Sequence, residues 1–106
     1  MPASQRILLE IAVSSVERAL AAERAGAHRI ELCEKLEVGG LTPRIELIRQ
    51  LRAAVHLPAH ILVRPRAGNF VYSPEEFAKM KAEIVALKTE NVQAIVTGIL
   101  RPDDSI

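Results

Sequence analysis

The sequence predicts an α/β fold, a partial TIM (β/α)8-type barrel of about four βα units in the order βαβαβαβ with parallel strands. Three observations predict it. Short apolar runs alternate with longer stretches of helical periodicity along the 106 residues. A helix separates each strand from the next, which excludes hairpin pairing and calls for right-handed parallel crossovers. Charged residues recur on one face of three successive strands, where a sheet buried on both sides would need apolar ones. A barrel lumen that opens at its C-terminal mouth has room for such charges.

The elements follow in order. Ile7 to Val13 is an apolar run of strand length, broken by Glu10. Ser14-Ser15 offers an N-cap, and Val16 to Ala25 has the Ala, Glu, Arg and Leu content of a helix that Gly26 closes. Arg29 to Cys33 is the second strand. Gly39-Gly40 supplies backbone freedom in the loop behind it, with amides placed to cradle an anion near Thr42. Pro43, behind Thr42, predicts a first helical turn, and Ile45, Ile48, Leu51 and Val55 recur at helical spacing until Pro58 stops them. His60 to Arg64 is the third strand, ended by Pro65. Ser73-Pro-Glu-Glu76 has the cap, the N1 proline and the N3 carboxylate of a helix start, continued by Phe77, Met80, Ile84 and Leu87. Ala94 to Leu100 is the fourth strand, and Arg101 to Asp104 is a loop.

Composition narrows the class. Residues 1–106 make one domain at most. The net charge is +1 with acids and bases interspersed, so no basic stripe points to nucleic acid. No apolar run approaches the roughly 20 residues that cross a bilayer. Met1 to Arg6 does not fit a signal peptide, and Cys33 as the only cysteine forms no internal disulfide. A cytoplasmic protein is the expectation. The G-x-G-x-x-G phosphate fingerprint of a doubly wound sheet is absent after the first strand.

Strand alternation then groups the charges. Glu10 shares a face with Leu8 and Ala12; Arg29, Glu31 and Cys33 share one face of the second strand; His60, Leu62 and Arg64 share one face of the third. Glu10 and Glu31 would balance Arg29 and Arg64, as buried ions require.

Together, Leu8-Leu-Glu-Ile11, Ala25-Gly26-Ala27, Arg29-Ile-Glu-Leu-Cys33, Gly39-Gly-Leu-Thr-Pro43, Pro58-Ala-His60, Arg64-Pro-Arg66 and Tyr72-Ser73 before Glu75-Glu76-Phe77 resemble the copper homeostasis protein CutC family. The resemblance runs along nearly the whole chain. It implies a TIM-type barrel in the cytoplasm, connected with copper tolerance or trafficking and with Cu(I) binding, and it supplies no settled reaction. Ala12 stands where the family often carries a cysteine, His28 where Asp is expected, and Ala67 and Asn69 where Gly and Asp are expected. A full barrel takes about 250 residues, so the resemblance covers the N-terminal half. Completion by a second half-barrel or by a second copy is the expectation.

Two functional readings follow. In the first, Cys33 is a soft Cu(I) ligand at the barrel mouth. In the second, the chain is a TIM-barrel enzyme of unknown reaction, with Glu10 and Glu31 as acid–base groups and Arg64, Arg66, Thr42 and Tyr72 holding a small phosphate or carboxylate substrate. An inactive half-barrel is a third outcome. Met80 reads as core, His28 and His60 as structural, and His56 as solvated.

Overall fold

The computed structural model describes residues 7–106, so the expectation on Met1 to Arg6 lies outside the described residues. Strand β1 (Glu10–Val13) leads through α1 (Val16–Arg24) to β2 (Arg29–Leu32), then through α2 (Ile45–Ala54) to β3 (Ala59–Leu62), and through α3 (Pro74–Thr89) to β4 (Ala94–Val96). The four strands form one parallel sheet in the order β1-β2-β3-β4. Consecutive strands lying side by side in sequence order is the arrangement of a TIM-type barrel wall, and the predicted fold class holds.

The helix ends show how local chemistry sets the boundaries. Ser15 Oγ accepts from Arg18 N at 3.1 Å, and Gly26, at φ +93°, lets the chain leave α1. At α3, Ser73 Oγ accepts from Glu76 N at 3.1 Å while Glu76 accepts from Ser73 N at 2.9 Å, the reciprocal capping predicted. At α2 the prediction is corrected. The helix begins at Ile45, because Arg44 is extended and its amide donates to Glu34 Oε2 at 2.6 Å. Thr42 is drawn away from capping: its hydroxyl accepts from Arg64 N at 2.8 Å. The same helix ends at Ala54, before Pro58.

The strands are shorter than predicted. Residues 7–9 precede the β1 ladder, and β4 stops at Val96 because Leu100 N turns aside to donate to Phe70 O at 2.8 Å. A 3-10 turn over Leu36–Val38, between β2 and α2, was not foreseen.

One face of the sheet carries the core. Val13, Ile30, Leu32, Ile61 and Val63 point at Ala19 and Ala22 of α1, Leu47, Ile48 and Leu51 of α2, and Met80 and Leu87 of α3. Fully burying each such large side chain contributes about 1.5–3 kcal/mol. Phe77 falls outside this core: it is 41% exposed, with Lys81 Nζ 4.9 Å from its ring centroid. The opposite face carries Glu10, Ala12, Arg29, Glu31, His60 and Leu62, all at least partly open.

Candidate functional site

Parallel strands deliver their C-terminal ends to one rim, where the loops after β2, β3 and β4 meet. A cleft of about 420 Å³ lies there, between Glu31, Leu62, Arg64, Phe70, Val96 and Thr97. A cavity of about 260 Å³ opens at the other end of the sheet among Leu51, Val55, Leu57, Ile61 and Val92. It presents no carboxylate or thiol, so the rim cleft is the candidate site.

Arg64 is held by backbone. Its Nη1 donates to Val38 O at 2.8 Å and Gly40 O at 3.0 Å, and its Nη2 to Gly68 O at 3.0 Å. Three carbonyls from two loops thus fix the guanidinium, and Phe70 lies 5.3 Å from it. Its Nε is buried without a partner, and no carboxylate among the described residues forms an ion pair with it.

Glu31 is the cleft's acid, and it too has no ion pair or hydrogen bond among the described residues. Burial pushes its carboxyl above the ordinary carboxylate range, Glu10 adds to the rise, and His60 opposes it. An acid whose pKa folding raises keeps its proton longer in the native state, so stability falls as pH climbs from its ordinary value through the raised one. Glu31→Gln is therefore expected to raise the urea midpoint at neutral pH and to leave it unchanged below pH 4.5. Equal midpoints at both pH values would count against the shift.

Glu10 lies one layer below. It pairs with Arg29 Nε at 2.7 Å and faces His60 Nδ1 at 3.4 Å, set by the register of Glu10 on Arg29 and of Glu31 on His60. The predicted balance of charge is thus half realised among the described residues: Glu10 neutralises Arg29, while Glu31 and Arg64 stay unpaired there. His60, read as merely structural, joins this network because the parallel register carries it there. His28 accepts from Leu9 N at 2.8 Å as a strap at the start of β2, and His56 is exposed.

The other expected anion contacts, Arg66, Tyr72, Thr42 and the Gly39-Gly40 amides, have other partners or lie outside the cleft. All five N–H groups of Arg66 are committed, to Glu76 Oε1 and Oε2 and to the carbonyls of Ala67, Asn69 and Val71. Arg66 thus ties the β3–α3 loop to the α3 cap, and its guanidinium holds the Glu76 carboxyl below the usual range. Tyr72 lies under Arg66, 4.8 Å from ring centroid to guanidinium, with its hydroxyl buried and unpartnered outside the cleft. Thr42 bridges to the Arg64 backbone through both its amide and its hydroxyl. The Gly39 and Gly40 amides donate to Leu36 O and Lys35 O, so neither cradles an anion.

Cys33 sits just past β2, 1% exposed, with Sγ 3.7 Å from Val13 O. A Cβ built on Gly40 would come within 3.2 Å of Sγ, so the glycine turn is a lid on the thiol. Burial pushes the thiol up, and Glu31 and Glu34 push further. No group of three His, Cys, Asp or Glu side chains among the described residues is arranged to hold a metal ion, and Met80 is on the other face of the sheet, in the core. The lid was legible only as a Gly-Gly pair; its contact with Cys33 depends on tertiary register.

Comparison with known proteins places this arrangement. The sequence model of the CutC family matches residues 7–106. The human copper homeostasis protein cutC homolog is 41% identical over 104 residues, which are 98% of this chain and 38% of that protein. The CutC family protein of Erwinia tasmaniensis is 45% identical over 98 residues, 92% of this chain and 39% of that one. The crystal structure of CutC from Streptococcus agalactiae superposes with a TM-score of 0.82 at 31% identity, covering 92% of this chain and 48% of that one. This chain spans about two fifths of the length of these curated relatives and about half of the Streptococcus agalactiae chain.

Proposed function

This chain belongs to the CutC family, and from that premise we propose that it takes part in copper homeostasis, the role for which its relatives are named, in the cytoplasm, handling Cu(I) as cargo through Cys33 at the barrel mouth. The observation that carries this reading is the position of Cys33, a soft sulfur donor directly behind β2 at the rim. The residues present do not fit a preformed Cu(I) centre. The thiol is capped by Gly40, its pKa is raised, and position 12 carries alanine. Cu(I) would therefore need the glycine lid to lift and a second soft donor from outside the described residues. The outer strands β1 and β4 each have one neighbour here, and pairing with a second copy or a second half-barrel would bring further side chains to the rim.

A Cu(I) competition titration on the purified chain, with Cys33→Ser as control and molar mass followed by light scattering, tests this. Weak binding that Cys33→Ser abolishes, with copper bound by a dimer, is the expected result. Binding equal in the chain and in Cys33→Ser would remove Cys33 from the role.

One observation favours a second reading, a rim that binds a small anionic ligand, as an enzyme or a binding protein: Arg64 is a fixed cation without a carboxylate partner among the described residues. Glu31 is then the acid–base group of the cleft, and Glu10 acts on it through charge.

A further inference from the structure

The rim cleft holds two opposite charges that nothing among the described residues neutralises. Three of the five N–H groups of Arg64 are taken by the carbonyls of Val38, Gly40 and Gly68. Nε and one Nη2 hydrogen are left over on a guanidinium that the loops hold still. Across the cleft, Glu31 has neither ion pair nor hydrogen bond. Leu62, Val96 and Phe70 wall the space along with these two charges. Its volume of about 420 Å³ falls in the range of small-molecule sites.

A simple anion would satisfy Arg64 and be repelled by Glu31; a simple cation would do the reverse. Leaving either charge desolvated without a partner is costly. We propose that the cleft takes a small amphoteric molecule, an organic phosphate or carboxylate with an amino group a few atoms from its acid. The acid group pairs with the Arg64 guanidinium through its spare Nη2 hydrogen, the ammonium donates to Glu31, and the connecting carbons lie on Leu62, Val96 and Phe70. The proposal rests on the small-anion reading of the rim and names its ligand class. Arg64 is the better anchor of the pair, since its position is set before any ligand arrives.

The test is a titration of the full chain followed by the amide NMR signals of Phe70, Thr97 and Gly98, with phosphoethanolamine, ethyl phosphate and inorganic phosphate as probes. Phosphoethanolamine is expected to bind about tenfold tighter than ethyl phosphate, the worth of one charge-assisted hydrogen bond. Glu31→Gln loses no ion pair or hydrogen bond among the described residues, and it is expected to erase that preference while ethyl phosphate binds as before or better. Arg64→Lys is expected to weaken both organic phosphates, because an ammonium on a flexible stem is not held in place by the three carbonyls that fix the guanidinium. If ethyl phosphate binds as well as phosphoethanolamine, or the preference survives Glu31→Gln, the amphoteric class is wrong while the anion site stands. If no phosphate moves these signals up to about 10 mM, the anion reading falls with it.

Discussion

Gly40→Ala is expected to destabilise the chain by about 2–5 kcal/mol and to change the reactivity of the Cys33 thiol. Two costs add. Gly40 has φ +98°, a conformation that costs a residue with a Cβ about 1–2 kcal/mol. The new methyl would also stand 3.0 Å from Leu62 Cδ2 and 3.2 Å from Cys33 Sγ, and overpacking of this kind costs about 1–3 kcal/mol. Gly26 is the control. Its φ is +93°, yet a Cβ there meets nothing within 4 Å, so Gly26→Ala reports the backbone cost alone. Urea midpoints measure the difference, and the rate of thiol modification by a disulfide reagent reads the lid. Gly40→Ala should react faster than the parent chain, since its turn must shift off the sulfur. Equal destabilisation by the two substitutions, with an unchanged thiol rate, would mean that Gly40 does not seal Cys33.

Ile30→Ala is expected to cost about 3–5 kcal/mol, a large fraction of the total stability of a small domain. Ile30 is fully buried in β2, flanked in register by Ile11 of β1 and Ala59 of β3. Deleting its outer carbons leaves a void between two ladders that cannot both close on it. Val85→Ala is the comparison: that side chain is 63% exposed on α3, and its loss should move stability by no more than about 0.5 kcal/mol. Equilibrium denaturation of both variants decides the matter, and a cost for Ile30→Ala near that of Val85→Ala would place the core elsewhere.

These positions also show which features a linear reading reaches. Ser73, Pro74 and Glu76 form their capping box within four consecutive residues, so the start of α3 was legible to the residue. The start of α2 was not. Pro43 reads as the first helical turn, but the Thr42 hydroxyl before it goes to Arg64, 22 positions away, and the helix waits until Ile45. The fourth strand was read too long for the same kind of reason, since the amide of Leu100 is taken by Phe70.

The site divides along the same line. Strand alternation was enough to put Arg29, Glu31 and Cys33 on one face, and Glu31 and Arg64 are both found at the rim cleft. Alternation says nothing of which neighbour each charge meets. Arg64 and Arg66 are two residues apart and alike in chemistry. The loops saturate one with Glu76 and three carbonyls and leave the other with free donors.

By itself, then, the sequence determined the βαβαβαβ order, the parallel sheet, the face of each strand and the family, because periodicity and capping act over a few consecutive residues. Only the tertiary structure decided that Cys33 is sealed, that the donors of Arg66 are all taken, that Glu10 is neutralised by Arg29, and that Glu31 and Arg64 have no ion pair among the described residues. Those outcomes depend on strand register and on where long loops lay their carbonyls, and both are set by packing between residues far apart in the chain.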